Sequence, residues 1–277
     1  MTTSAPDLAA RPIGIFDSGI GGLTVARAVA QRLPHERLVY FGDTAHLPYG
    51  EKSTAAIQAY AVKICDVLLR QHCKLILIAC NSASAAAYEL VREYVGSKAV
   101  VVGMIDPVVA HVSRHYAGRS VGLIGTKQTV GSNIYRKKID QLDLGVDLHA
   151  LATPLLIPMI EEGFAQGRVS EEIIRAYLDH PTLQGIEALL LACTHFPLIK
   201  PQMEAYYQGR VAVLDPSDVV ATTVAEALAA RQLLASPAEG ASPAHHFYVS
   251  DFTRSFEEST RLFFGQEVQL EHYPLWE

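Results

Sequence analysis

Two of the four cysteines stand where a thiol could do chemistry. Cys80 lies in Ala79-Cys-Asn-Ser82 and Cys193 in Ala192-Cys-Thr-His195. Each ends a short apolar run and leads into a pattern that starts a helix. A helix N-terminus favours the thiolate, which lowers a thiol from its reference pKa of about 8.5 towards neutral. Asn81, Ser82, Thr194 and His195 add hydrogen-bonding side chains, and the backbone there adds N–H groups; both suit a carboxylate ligand. One cysteine suffices for the nucleophile of a hydrolase or transferase. Two in corresponding places suit a substrate whose two forms are mirror images. One thiolate removes a proton from a stereocentre, and a thiol on the opposite face returns one. That is racemase or epimerase chemistry at a carbon beside a carboxylate. The α-hydrogen of an amino acid is a poor acid, so such a site must stabilise the carbanion by hydrogen bonds and desolvation.

Other chemistries fit less well. A pyridoxal phosphate enzyme uses a lysine, and none stands at a strand end among the polar clusters, so no cofactor of that kind is expected. Two lone cysteines without paired spacing make no zinc ligand set, and no metal is expected. Gly19-Ile-Gly-Gly22 could cradle a phosphate before a helix. Thr24, however, stands where a dinucleotide fingerprint needs its last glycine, and no Lys-Ser/Thr pair follows. The competing reading of this loop is a tight strand-to-helix turn. Cys65 and Cys73, in or just after an apolar helical stretch, read as small core hydrophobes. Asp17 at a strand end reads as an active-site acid or as a helix cap. His195 reads as a site residue or a packing histidine, Tyr49-Gly50 as a site wall or a turn. His245-His246 reads as an exposed pair with no ligand role.

The elements that must hold these residues alternate. Apolar runs at Arg11–Asp17, Leu38–Asp43, Lys74–Cys80 and Val100–Asp106 read as strands, and Thr54–Arg70 and Ser84–Tyr94 as helices between them. Continuous apolar strands alternating with helices indicate a parallel sheet covered on both faces. The second half repeats the plan with strands at Val121–Thr126, Ala188–Cys193 and Val211–Asp215. Gly14 to Gly122 spans 108 residues, Cys80 to Cys193 spans 113, and Asp106 to Asp215 spans 109. Three ordered matches at nearly one offset indicate two similar, pseudo-symmetric α/β domains. A helix over Asp218–Leu234, a Pro/Gly/Ser loop over Ala235–Ala244 and a short strand at Phe247–Ser250 follow. Ligands of open parallel sheets collect beyond the strands' carboxyl ends, so facing domains would bring the clusters together in an interdomain cleft.

Composition bounds the rest. With 277 residues, 49% hydrophobic, the chain has ample apolar surface to bury and is not disordered. A net charge of −6 with no basic block argues against nucleic-acid binding. No apolar run approaches the ~18 residues of a membrane span, and Met1 to Arg11 carries no recognisable secretion signal. A cytoplasmic protein with reduced cysteines is expected.

Several motifs together are similar to those of one family. Phe16-Asp-Ser-Gly-Ile-Gly-Gly-Leu-Thr24, Tyr40-Phe-Gly-Asp-Thr44 with Leu47-Pro-Tyr-Gly50, Ala79-Cys-Asn-Ser82 and Leu191-Ala-Cys-Thr-His-Phe-Pro197 resemble the signatures of the glutamate racemases. The resemblance runs over nearly the whole chain. It implies cofactor-independent interconversion of L- and D-glutamate, the D-form feeding peptidoglycan synthesis. Cys80 would take the proton from D-glutamate and Cys193 from L-glutamate. Asp17 and His195 would tune Cys80 and Cys193 respectively. Ser18, Tyr49, Gly50, Asn81, Ser82, Thr126 and Thr194, with Asp17 and His195, would hold the substrate. Glu161 resembles a family acid that orients His195, although sequence does not separate it from Glu162. Ser82 stands where the family often has Thr, and Thr153 where a cysteine is common. The family topology implies a first domain of residues 1–102 plus 214–277 carrying Cys80, and a second of 103–213 carrying Cys193. The implied partner is a small-molecule substrate, with no nucleic acid and no membrane, and a homodimer is open. Two rivals remain: a racemase of another acidic amino acid such as aspartate, and a non-catalytic carboxylate-binding protein.

Overall fold

The structure is a computed structural model, and it describes residues 8–236 and 243–277. Ten strands occur among them: β1 (Ile13–Asp17), β2 (Leu38–Gly42), β3 (Leu75–Ile78), β4 (Val100–Gly103), β5 (Ser120–Gly125), β6 (Asp147–Ala152), β7 (Ala188–Ala192), β8 (Ala212–Leu214), β9 (His246–Val249) and β10 (Leu270–His272). They form two sheets in the orders β10-β9-β2-β1-β3-β4 and β6-β5-β7-β8. Every described pairing is parallel. β1, β2, β3 and β7 are buried along their whole length, as apolar runs covered on both faces require. The α/β class with two similar parallel sheets flanked by helices is the one expected.

Helix formation follows local chemistry. The helix Thr54–Arg70 starts at Ser53, whose side chain accepts the Ala56 N–H, and buries Ile57, Ala61, Ile64, Cys65 and Leu68 along one face. Helix Asn81–Val95 is capped by Cys80 itself. It therefore begins three residues before the expected Ser84. The first cluster sits in the cap and first turn, so its polar groups meet the strand end directly.

The similarity of the two halves extends to sheet register. Gly14 lies beside Ile76 in one sheet, and Gly122 beside Leu189 in the other. Cys80 and Cys193 each stand four residues beyond those partners. The Asp106–Asp215 match does not survive this register. Val101 beside Ile76 corresponds to Val213 beside Leu189, an offset of 112 residues. Asp106 then corresponds to Asp218, and both lie in the first turn of a helix, Ile105–His115 and Ser217–Ala229. Asp215 instead accepts the backbone N–H and hydroxyl of Ser217.

The last segment departs from expectation in two ways. The helix expected to reach Leu234 ends at Ala229. The middle of the Pro/Gly/Ser loop, residues 237–242, lies outside the described residues, as does the start of the N-terminal segment, residues 1–7. His245 and His246 are half-buried rather than exposed, because β9 docks on β2: Leu38 donates its N–H to His245 Nδ1, and His246 Nδ1 meets Glu271 Oε1 at 3.0 Å.

One buried ion pair ties the amino-terminal edge of the first sheet. Lys74 Nζ lies 2.6 Å from Glu36 Oε2, both side chains being almost wholly buried. Lys74 also donates to the Ala9 carbonyl, and Glu36 accepts the Ala235 N–H. Removing one partner leaves an uncompensated buried charge, which costs roughly 3–5 kcal/mol. Lys74→Ala should lower unfolding free energy by about that amount, measured by urea denaturation with an unchanged m-value.

Candidate active site

The carboxyl ends of the two sheets border one cleft of about 410 Å³. Ser18, Tyr49, Gly50, Cys80, Asn81 and Ser82 line it from the first sheet's side. Thr126, Glu161, Cys193, Thr194 and His195 line it from the second sheet's side. Both thiols are thus in one cleft, on walls supplied by different sheets. Cys65 and Cys73 are buried in the apolar cluster beneath Tyr49 and Cys80 and do not line it.

Asp17 is the expected residue that does not reach the cleft surface. It is wholly buried beneath Ser18. Its Oδ2 accepts the N–H groups of Gly19 at 3.2 Å and Gly22 at 3.0 Å, which caps the helix Leu23–Arg32. Its Oδ1 has no partner. Burial pushes Asp17 above the ordinary carboxylate range, opposed by the charge of His195 and by N–H groups of Gly22, Gly19 and Ser18. Asp17 therefore both caps the helix and keeps one oxygen uncommitted.

Around Cys80, desolvation outweighs the helix terminus. Its Sγ accepts the Ala83 N–H at 3.4 Å and lies 3.7 Å from Ser18 Oγ. Burial, with the Asp17 charge adding to it, nevertheless pushes the Cys80 thiol well above its ordinary value. The lowering expected from the cap position is overturned here, because a buried thiolate loses more hydration than three weak donors return.

Cys193 has a different partner. Its Sγ lies 3.9 Å from His195 Nδ1, and His195 Nε2 lies 2.9 Å from Glu161 Oε1. Burial alone would lower the imidazole; the hydrogen bonds and charges of Cys193 and Glu161 more than offset it and raise His195 to about 10. Glu161, not Glu162, is the acid at His195, because it ends the helix Leu156–Glu161 on the side that faces the cleft.

The remaining residues are held across the gap between the sheets. Ser82 Oγ lies 2.8 Å from Thr126 Oγ1 and 3.3 Å from Thr129 Oγ1. Asn81 Oδ1 accepts the Tyr135 hydroxyl at 2.7 Å, which leaves the buried Asn81 Nδ2 without a partner. Thr24 Oγ1 donates to the Thr194 carbonyl at 3.0 Å. A Cβ on Gly21 would lie 2.4 Å from the His195 ring, so glycine there permits the close approach of the two halves. The loop Gly19–Gly22 is thus a tight turn that admits His195 and supplies N–H groups to Asp17. Thr129 and Tyr135 do not stand out in the sequence, and Thr24 stands out there only as a missing glycine. Their roles depend on contacts 47 to 170 residues away along the chain, which no local pattern displays. Thr153 is buried, and its hydroxyl approaches the Gly125 carbonyl. Among the described residues, no group of three or more His, Cys, Asp or Glu is placed to hold a metal ion, and no helix is long and apolar enough to cross a membrane.

Known proteins are similar to this chain in sequence and fold. The family model described as Asp/Glu/Hydantoin racemase matches residues 23–224. A relative from Chlorobaculum tepidum named glutamate racemase is 40% identical over 93% of each chain. The crystal structure of glutamate racemase from Francisella tularensis in complex with D-glutamate superimposes with a TM-score of 0.89, at 36% identity, covering 97% of this chain and 99% of that one. That from Thermus thermophilus in complex with β-chloro-D-alanine gives a TM-score of 0.83 at 37% identity over 96% of this chain and 97% of that one. With its paired thiols at the ends of matching strands and a family match spanning both sheets, this chain belongs to the Asp/Glu/hydantoin racemase family.

Proposed function

We propose that this chain interconverts L- and D-glutamate by proton transfer between Cys80 and Cys193, without a cofactor. The observation that carries the reading is the pair of thiols on facing walls of one cleft, each with its own polar partner. The names of the relatives favour glutamate over aspartate. The D-glutamate formed would feed peptidoglycan synthesis in the cytoplasm.

In the L-to-D direction, Cys193 Sγ takes the α-proton and the C–H electron pair stays on the substrate as a carboxylate-stabilised carbanion. The Cys80 thiol then gives its proton to the opposite face. The His195 imidazolium, held by Glu161, stabilises negative charge on Cys193, while burial and Asp17 keep the proton on Cys80 until the carbanion forms. The D-to-L direction reverses the roles. Ser18, Tyr49, Gly50, Asn81, Ser82, Thr126 and Thr194 hold the substrate's carboxylates and ammonium. The unpartnered Asn81 Nδ2 supports this assignment, since a buried amide donor without a partner is costly until an anion fills it. The two sheets support dividing the chain into 1–102 plus 214–277 and 103–213, one thiol in each part.

The reading is tested by α-hydrogen exchange in D2O with each enantiomer of glutamate. The native protein should exchange both, and failure to exchange either defeats the assignment. Cys80→Ser and Cys193→Ser should each lower racemisation by about 10²–10⁴-fold, the usual contribution of a positioned proton-transfer group. A non-catalytic carboxylate binder would instead show no turnover to lose.

His195 also makes a stability prediction. Folded His195 titrates near 10 against a reference of 6.5, so the folded state binds more protons between those values. Its contribution is complete below pH 6.5 and is lost as pH rises through 10. Thermal stability should therefore fall across that window, and Glu161→Gln, which keeps an acceptor oxygen but removes the negative charge facing the imidazolium, should flatten the fall. Melting temperature against pH for the two proteins measures it.

A further inference from the structure

Asp43 lies behind the cleft in the motif Tyr40-Phe-Gly-Asp-Thr44, wholly buried, and the mechanism above does not use it. Its two oxygens are surrounded by donors. Oδ1 accepts Ser250 Oγ at 2.7 Å and Trp276 Nε1 at 2.7 Å. Oδ2 accepts the Tyr49 hydroxyl at 2.6 Å and meets His46 Nδ1 at 3.0 Å. A carboxylate offers about four lone-pair sites, and here each has a donor. One of those donors, Tyr49, is a wall of the cleft, and two come from the far end of the sequence.

The segment after β10 is packed to hold this arrangement. The Trp276 ring stands edge-on to His46 at 4.4 Å and to Tyr60 at 5.4 Å, and Lys63 Nζ lies 4.5 Å over its face. His46 stacks on Tyr60 at 4.0 Å. Tyr49 runs into the short turn Tyr49–Glu51, where a Cβ on Gly50 would lie 2.7 Å from Thr126 Cβ across the cleft. Displacing the Tyr49 ring would therefore shift the Tyr49–Gly50 wall against the other half of the molecule.

We infer that Trp276 and Ser250 are positioning residues of the active site: through Asp43 they fix Tyr49 and with it the Tyr49–Gly50 wall that meets the substrate. Neither touches the cleft. This inference rests on the glutamate racemase reading. It predicts an effect on substrate affinity in both directions more than on the proton-transfer step, because neither thiol nor its partners is disturbed.

The experiment uses the native chain and Trp276→Phe, which keeps an aromatic ring on His46 and Tyr60 but removes the N–H donor. KM for both enantiomers should rise about three- to tenfold, the scale of one lost hydrogen bond to a charged group only partly transmitted, with kcat within about twofold. In a Tyr49→Phe background, which lacks the hydroxyl that Asp43 holds, Trp276→Phe should add little further change in KM. The sequence contains one tryptophan, so the indole emission of the native protein reports Trp276 alone, and it should shift on adding D-glutamate with a midpoint that matches KM. Should Trp276→Phe fail to fold, Ser250→Ala removes the other Oδ1 donor and carries the same expectation. A folded variant with unchanged KM, or an equal effect with and without the Tyr49 hydroxyl, overturns the inference while the native enzyme still racemises glutamate. A native protein that does not turn over glutamate defeats the reading of function and this inference with it.

Discussion

The site depends on how closely two strand ends approach each other. The turn after β1 presents Gly21 to the segment after β7, and no side chain larger than hydrogen fits between Gly21 and the His195 ring. Thr24 closes the same contact by donating to the Thr194 carbonyl. Parallel sheets make this possible, since all their carboxyl ends emerge on one side. Two such sheets facing each other put every strand-end cluster around one small volume. Ile157, Leu47 and Pro48 add apolar surface to its walls. Hydrogen bonds and charges in that volume are stronger than at the surface, and unpaired groups are costlier.

The two thiols occupy equivalent places, yet their surroundings differ. Behind Cys80 stands a carboxylate, and behind Cys193 an imidazole with its own carboxylate. The sheets put the two thiols in matching positions, while the side chains behind them differ. The same divergence appears in the helix caps. Cys80 caps an α-helix of fifteen residues, while Cys193 leads through His195 into the short 3₁₀ turn Phe196–Ile199.

Legibility in the sequence followed the range of the interactions involved. β1, β3, β5 and β7 are buried apolar runs with distinctive ends, and they carry the clusters, so strands and cluster residues could be read together. β6 is half-exposed and β10 is three residues long at a sheet edge; neither leaves an apolar run. The repeat was visible, but its Asp-Pro match was a coincidence of composition that only sheet register exposes. Glu161 and Glu162 are neighbours with the same side chain, and the direction each faces is a property of the folded helix. Asp43 sat inside a quoted motif without a role, because its partners Ser250 and Trp276 lie more than 200 residues away.

A thermodynamic constraint governs how this asymmetry can be expressed. L- and D-glutamate have equal free energy in water, so kcat/KM must be the same in both directions whatever the site does. Unlike partners behind the two thiols therefore cannot favour one product at equilibrium. They can only divide a common kcat/KM differently between kcat and KM. On the proposed reading, the resting site keeps a proton on Cys80 and a cation beside Cys193, which is the form that accepts L-glutamate. Product release in that direction leaves the protons exchanged, with Cys193 protonated and Cys80 charged beside a buried carboxyl. The second form is the less favourable of the two, because Cys80 resists ionisation. Asp17 keeps Oδ1 uncommitted at that point. The charge of Asp17 adds to the burial that opposes a Cys80 thiolate. The unlike surroundings of the two thiols thus bear on how kcat and KM divide in each direction, without altering the equilibrium between the enantiomers.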